Sequence, residues 1–283
     1  MNKMRFEELV KLLNNEKHIT EFLYKRKKSL APIICPYCGK RRFYVMNRKR
    51  IRCKKCRKDH NFLEDTWFGR LRIGFGKWLM LIKLFELEIS ARKAGTQVVL
   101  SYPTVHTAFD AMRQAIVHEL AKNDKELRGE IEADESYFGG KRKGKRGRGA
   151  GGKTIVFGIL ERGGRVSVSV VRDVTGQSLL NETIRKVRRG SIVYTDKWKG
   201  YDSLMFCGYK HLSINHKYKF KQGKVYINGV EGFWSFAKER LIKHHGISKH
   251  KFLYYIKEME WRYNNRDKNL FELLIDYMLG AVN

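Results

Sequence analysis

The sequence has no uninterrupted apolar segment of about 20 residues, the length that a membrane-spanning helix needs. It also has no secretory signal-peptide pattern. Its five cysteines form two Cys-x-x-Cys pairs and one single residue, a pattern typical of a metal site in a reducing compartment rather than a disulfide scaffold. These absences exclude a membrane-spanning protein and a disulfide-stapled secreted domain, and they predict a cytoplasmic protein.

Acidic residues are scarce. Asp and Glu number 29 against 59 Lys and Arg, which gives a formal net charge of +30 and an isoelectric point near 10.0. A charge of this size repels itself unless a polyanion lies close by, so nucleic acid is the predicted partner. An anionic membrane surface is the alternative that composition leaves open. At 283 residues the chain is long enough for two domains, or for one core domain with smaller modules.

The two Cys-x-x-Cys pairs predict a structural zinc ribbon. Cys35 and Cys38 are separated by 14 residues from Cys53 and Cys56, the spacing at which two pairs supply four thiolates to one ion. Four thiolates leave no coordination position open for water, so this zinc is not expected to be catalytic. Four buried free thiols are the alternative, but a loop-rich segment of this size would then have no core.

Two DNA-binding surfaces are predicted in the first half of the chain. The predicted hairpin between the cysteine pairs carries basic residues, of which we expect three to contact phosphates: Arg48, Lys49 and Arg50. Residues 90–94 and 101–109 then predict two helices separated by a short turn, the outline of a helix-turn-helix, although any small helical bundle gives the same spacing. We expect the second helix to contact DNA and to expose the following side chains: Tyr102, Thr104, His106, Thr107 and Arg113.

The acidic stretch at residues 129–138 predicts a strand whose two faces differ in polarity. Ile131 and Ala133 lie on one face, and Glu130, Glu132 and Asp134 lie on the other. An unpaired buried carboxylate costs several kcal/mol, so the acidic face is predicted to be solvated or to hold cations.

Two later segments supply further acids. The short apolar run at residues 191–196 predicts a buried strand that ends in Asp196. Residues 228–238 predict a helix on which Glu231 and Lys238, seven residues apart, lie nearly in line. An acid on a strand, an acid at a strand end and an acid on a helix suit a two-metal phosphoryl-transfer site.

Between the acidic strand and the next strand lies a glycine-rich basic loop, residues 139–153, which cannot form a helix or strand of its own. A solvated, disordered hairpin loop is one interpretation, and a phosphate clamp beside the acids is the other. We expect the clamp to consist of Lys141, Arg142, Lys143, Lys145, Arg146 and Arg148.

The order of elements beyond residue 128 is that of a ribonuclease-H-like domain, in which the first strand and the strand after the first helix lie side by side. Asp134 and Asp196 are therefore expected to lie close together. The predicted fold class is α+β and multidomain. We predict an N-terminal helix over residues 1–30, a zinc ribbon over 31–70, a helix-turn-helix region over 71–127, and a ribonuclease-H-like α/β domain with a mixed sheet and C-terminal helices over 128–283.

The chain resembles the bacterial insertion-sequence DDE transposases that are related to the eukaryotic Merlin superfamily. The resemblance covers nearly the whole chain, including the zinc ribbon, and rests on motifs at residues 131–140, 193–201, 227–238 and 261–266. It implies a transposase that cleaves the terminal inverted repeats of an insertion element at their 3′ ends and transfers the strands into target DNA.

The resemblance also implies site residues and partners. Asp134 and Asp196 match the first two catalytic carboxylates, and the third position falls on Asn228 or Glu231. We favour Glu231, since a carboxylate is the better ligand for Mg²⁺, and we expect Lys238 to approach a phosphate. The implied cofactors are Mg²⁺ or Mn²⁺ at the acids, besides structural Zn²⁺. The implied partners are double-stranded DNA, both element ends and target DNA, and further copies of the chain in a homodimer or larger assembly. The protein is expected in the bacterial nucleoid, with no membrane partner.

Two other functions fit parts of the sequence. A DNA-binding regulator would need only the ribbon and the helix-turn-helix, with an inactive ribonuclease-H-like domain, but it has no use for clustered carboxylates. A metal-dependent nuclease would use the same acids without joining strands.

Overall fold

A computed structural model describes residues 4–46, 50–139, 153–196, 207–214, 226–244 and 246–282. The helices are α1 (Phe6–Leu13), α2 (Glu16–Leu30), α3 (Phe75–Glu86), α4 (Ala91–Val98), α5 (Tyr102–Lys122), α6 (Gly176–Lys186), α7 (Asn228–Leu241), α8 (Lys249–Asn264) and α9 (Leu270–Leu279). The strands are β1 (Phe43–Val45), β2 (Arg50–Cys53), β3 (Asp59–Asn61), β4 (Glu130–Phe138), β5 (Thr154–Glu161), β6 (Val166–Val171), β7 (Ile192–Asp196) and β8 (Lys210–Ile214). None of the helices in the described ranges is long and apolar enough to cross a membrane.

The chain divides into two compact units, Met1–Glu119 with Asn265–Asn283, and Leu120–Asn264. The predicted single domain over residues 128–283 is therefore wrong at its C-terminal end, because α9 belongs to the first unit. The reason is visible in its contacts: Arg26 of α2 forms ion pairs with Glu272 and Asp276 of α9.

The first unit contains a small antiparallel sheet in the order β1-β2-β3, which confirms the predicted hairpin and adds a third strand. Its helical part has α3 at the centre, with Trp78, Leu79 and Leu81 fully buried. Helix α3 is apolar around most of its circumference, as expected of a helix that packs against several partners.

The predicted helix-turn-helix region consists of α4 and α5 with three residues between them. Ser101 accepts a hydrogen bond from the Thr104 amide at the start of α5, which confirms it as a cap. Gly95 allows the turn to lie close to α4, since a Cβ there would come within 2.9 Å of the Leu100 carbonyl oxygen. The prediction that Arg113 is exposed is wrong: it is 3% exposed, lies over the Phe85 ring and pairs with Asp110.

The second unit is built on a five-stranded mixed sheet in the order β6-β5-β4-β7-β8. β4 pairs antiparallel with β5 and parallel with β7, and β7 pairs parallel with β8. The predicted adjacency of the first strand and the strand after the first helix is confirmed. One apolar cluster, which includes Leu179 of α6, covers one face of the sheet, and a second cluster contributed by α7 and α8 covers the other.

Candidate functional site

Two acids that the sequence predicted to meet lie on neighbouring parallel strands. The register of β4 and β7 pairs Glu132 with Tyr194. Asp134 and Asp196 each lie two residues further along, so they occupy equivalent positions on one face of the sheet. Adjacent strands lie about 4.8 Å apart, and the two carboxylates interact electrostatically.

The third acid of this strand face, Glu132, is 1% exposed and has a different environment. Its Oε1 accepts a hydrogen bond of 2.9 Å from Arg162 Nε, and its Oε2 accepts one of 3.0 Å from the backbone N–H of Val230 in the first turn of α7. Glu130 accepts a hydrogen bond from the Tyr194 hydroxyl and lies 3.6 Å from Arg162. The acidic face is therefore neither simply solvated nor wholly available to cations, because an arginine neutralises part of it.

Asp134 is held by an indole instead of an arginine. Its Oδ2 accepts a hydrogen bond of 3.0 Å from Trp234 Nε1 of α7. The indole fits because Gly158 lies opposite Asp134 on β5, and a Cβ at Gly158 would come within 2.5 Å of the Trp234 ring. Glycine inside a strand often marks such a close approach, and this was the signal in the sequence that could have identified the role of Trp234.

Burial, followed by the negative charges of Glu135 and Asp196, raises the pKa of Asp134 to about 7. The hydrogen bond from Trp234 acts in the opposite direction because it stabilises the anion. Within the described ranges, no lysine or arginine forms an ion pair with Asp134. A cation bound at Asp134 would relieve its repulsion with Glu135 and Asp196.

The other predicted site residues lie on α7. Glu231 precedes Trp234 by three residues and Lys238 follows it by four, so both lie on the helix stripe next to the indole. Both side chains are exposed, and Lys238 Nζ lies 5.9 Å from the Phe138 ring centre at the end of β4. Asn228 is the first residue of α7, directly after the cap Ile227.

The structure places Asp134 and Asp196 on neighbouring strands and Glu231 on α7. Among the described residues, the four cysteines are the one set of three or more potential metal ligands that lie close enough together to hold an ion. Asp134, Asp196 and Glu231 together do not form such a set.

The cysteine cluster has the geometry of a tetrahedral metal site. The Sγ atoms of Cys35 and Cys56 are 3.7 Å apart, and those of Cys38 and Cys53 are 3.5 Å apart. Zn–S bonds of about 2.3 Å in a tetrahedron place sulfurs about 3.8 Å from each other, so the four thiols fit a zinc ion.

The two cysteine pairs form matching turns. The residue that follows each pair, Gly39 and Arg57, has a positive φ, and its backbone N–H bonds to the carbonyl oxygen of the first cysteine. Hydrogen bonds from the backbone amides of Cys56 and Lys55 lower the pKa of the Cys53 thiol to about 6. A lowered pKa favours the thiolate, which is the form that binds metal.

The predicted DNA-contacting side chains at the start of α5 lie at least partly at the surface. Tyr102 is 48% exposed. Its ring centre lies 5.7 Å from that of His106, with the two rings tilted by 55°, and Arg92 of α4 lies over the Tyr102 ring. Thr107 is exposed, and Thr104 is half-buried. Arg92 was not among the residues predicted to contact DNA.

Several predicted DNA-binding residues lie outside the described residues. They are Arg48 and Lys49 of the ribbon and, in the glycine-rich loop, Lys141, Arg142, Lys143, Lys145, Arg146 and Arg148. Arg50 is described and is the exposed first residue of β2.

The chain is similar to several known proteins. The family model of the ISXO2-like transposase domain matches residues 126–264. A transposase-like protein of Haemophilus influenzae is 40% identical over 119 residues, which are 42% of this chain and 97% of the relative. A protein in the transposable element ISH50 of Halobacterium salinarum is 26% identical over 235 residues, 76% of this chain and 78% of the relative. Among solved structures, Mos1 transposase in a paired-end complex with the left transposon end is 11% identical, with a TM-score of 0.31 over 72% of this chain and 75% of that chain.

The raised pKa of Asp134 predicts how the stability of the protein depends on pH in buffers free of Mg²⁺ and Mn²⁺. The folded state keeps the Asp134 proton up to about pH 7, whereas the unfolded chain loses it near pH 4. The proton on Asp134 therefore stabilises the folded state. This stabilisation is complete below about pH 4 and is lost as the pH rises through 7. We expect wild type to lose about 1–3 kcal/mol more than Asp134→Asn between pH 5 and 8, measured by urea unfolding without chelators. An equal loss in both proteins would contradict the assignment.

Proposed function

Because the chain belongs to the ISXO2-like family of insertion-sequence transposases, we propose that it binds the terminal inverted repeats of an element, cleaves their 3′ ends and joins them to target DNA. The observation that carries the proposal is the placement of Asp134 and Asp196 side by side on parallel strands. Glu132 on the same strand face is paired with Arg162, whereas Asp134 has no basic partner among the described residues.

The acids are the groups that would hold Mg²⁺ or Mn²⁺. Asp134 and Asp196 fit such a cation because carboxylate oxygens are its preferred ligands and because their mutual repulsion is already expressed in the raised pKa of Asp134. Glu231 is the third ligand in this proposal, supplied by the exposed stripe of α7. When bound, divalent cations polarise the scissile phosphate and favour the deprotonated form of the attacking hydroxyl.

The surrounding residues position the acids and the DNA. The Trp234 indole holds the Oδ2 oxygen of Asp134. Lys238 projects from the next turn of α7, where its ammonium group would contact a phosphate flanking the scissile bond. The start of α5, with Tyr102, His106 and Thr107, would contact the element end. Cleavage of two paired ends requires at least two active sites, so we propose that a homodimer or larger assembly acts on DNA.

The cysteine cluster serves a structural role in this proposal. Four thiolates leave no position open for substrate, and the ribbon carries exposed cations such as Lys54 and Lys58, which lie over the rings of Tyr44 and Tyr37. Zinc would fix the two turns that present these side chains to DNA.

The aspartates are tested by removing their charge while keeping their shape. We expect Asp134→Asn and Asp196→Asn each to reduce Mg²⁺-dependent cleavage of an element end by at least about 1,000-fold, with the dissociation constant for the same DNA changed less than about threefold. Glu130→Gln, on the same face of the same strand, is the matched control and should retain cleavage. Undiminished nicking by both aspartate variants would refute the site. A strand-joining assay with pre-cut ends then separates a transposase from a nuclease.

The third ligand is tested by a pair of substitutions on the first turn of α7. We expect Glu231→Gln to reduce cleavage as severely as the aspartate substitutions, because it removes a negative ligand, and Asn228→Ala to cost less than about tenfold. Cleavage rates at several Mn²⁺ concentrations measure both effects. The reverse order of severity would assign the third position to Asn228.

The zinc proposal is tested on purified protein. We expect wild type to contain about one zinc per chain, Cys35→Ser to lose most of it, and Cys207→Ser, which alters the cysteine outside the cluster, to keep it. Zinc content is measured by elemental analysis, and binding to an element end by fluorescence anisotropy. Zinc loss that left the affinity for the end unchanged would show that the ribbon does not take part in recognition.

A further inference from the structure

A cleft lined by arginines lies at the amino-terminal ends of β4 and β7, opposite the ends that carry the aspartates. Arg128 precedes β4, and Arg188 and Arg189 precede β7. All three side chains are exposed. Arg162 also lines the cleft, but its guanidinium is bound to Glu132.

The three exposed arginines are presented by two segments that backbone hydrogen bonds hold together. The Arg188 N–H bonds to the Leu127 carbonyl oxygen at 2.8 Å, and the Ile192 N–H bonds to the Gly129 carbonyl oxygen at 2.9 Å. Leu127 itself forms a parallel bridge with Val187, and both residues are buried. The arginines therefore project from fixed positions. Binding of a ligand would cost little backbone entropy, because the segments that carry the arginines are already ordered.

The charges of these arginines are not neutralised by neighbouring acids. Within the described ranges, Arg128, Arg188 and Arg189 form no ion pair with a carboxylate. Of the two acids that line the cleft, Glu130 is engaged by the Tyr194 hydroxyl and by Arg162. The cleft therefore keeps a net positive charge, on backbone segments that hydrogen bonds hold in place.

We propose that this cleft binds the phosphodiester backbone of duplex DNA. The planar guanidinium group matches the phosphate oxygens, and fixed arginines bind phosphate without reading base sequence. Residues 128 and 134 are six positions apart along β4, about 20 Å at 3.3 Å per residue, which corresponds to about six base pairs at 3.4 Å each. The bound stretch is therefore distinct from the scissile phosphate.

This inference rests on the proposed function, since it requires that the chain binds DNA. The test uses the full-length protein and a 40-base-pair duplex of arbitrary sequence, with affinity measured by fluorescence anisotropy between about 50 and 200 mM salt. The variants are Arg188→Ala/Arg189→Ala and Arg128→Ala. The control is Arg172→Ala/Lys249→Ala, which removes two exposed positive charges of the same unit that do not line the cleft.

Each phosphate contact contributes about 0.9 to the slope of log affinity against log salt. We expect the Arg188/Arg189 variant to lose about 2 from this slope and to bind about tenfold more weakly at 100 mM salt, and Arg128→Ala to lose about 1. Thermal melts should match wild type, since the side chains are exposed. Slopes and affinities equal to those of the control would overturn the cleft as a DNA site while leaving the proposed function intact. Failure of wild type to bind any duplex would overturn both.

Discussion

The buried ion pair between Glu132 and Arg162 is the interaction on which the arrangement of the second unit depends. Removing a carboxylate from water costs several kcal/mol unless charge and hydrogen bonds replace the solvent. Arg162 supplies the charge, and its guanidinium lies between the rings of Tyr194 and Tyr226, 3.8 and 3.9 Å from their centres. It also donates to the Tyr226 carbonyl oxygen just before α7, and Glu132 accepts from the Val230 amide. The pair thereby connects β4, β7 and the start of α7.

Two acids on one strand face consequently have opposite roles. Glu132 is neutralised and fixes the first turn of α7, while Asp134, two residues away, keeps an anionic neighbour in Asp196 and accepts hydrogen bonds from the Trp234 indole and the Glu135 backbone amide. The repulsion between the aspartates opposes folding, and the neutralised part of the face, together with the apolar cluster beneath α7, offsets it. A buried carboxyl group with a raised pKa and anionic neighbours, such as Asp134, is typical of functional sites.

Local pattern was enough to predict much of the site. The spacing of Cys35 and Cys38 gave the ribbon, strand alternation placed Asp134 on the polar face of β4, and the order of elements brought β7 beside it. The misses all involve contacts between distant parts of the sequence. Periodicity does not reveal that α9 forms an ion pair with Arg26 of α2. Nor does it reveal that the guanidinium group of Arg113 in α5 lies over the Phe85 ring of α3. The sequence also contains no feature that distinguishes the arginine partner of Glu132 from 58 other cations.

The packing of the sheet explains why the accessible chemistry lies at the strand ends. Its faces are covered by α6 on one side and by α7 and α8 on the other. The edge strand β6 is partly occupied: Asn264 accepts from the Val166 N–H, and Glu260 accepts from the Val168 N–H, so α8 satisfies two amides of that edge. These two amides are not available to pair with another strand. Along β4 and β7, Asp134 and Asp196 lie at least six residues beyond Arg128, Arg188 and Arg189. A polyanion can approach the aspartates only with cations, and it can approach the arginines without them.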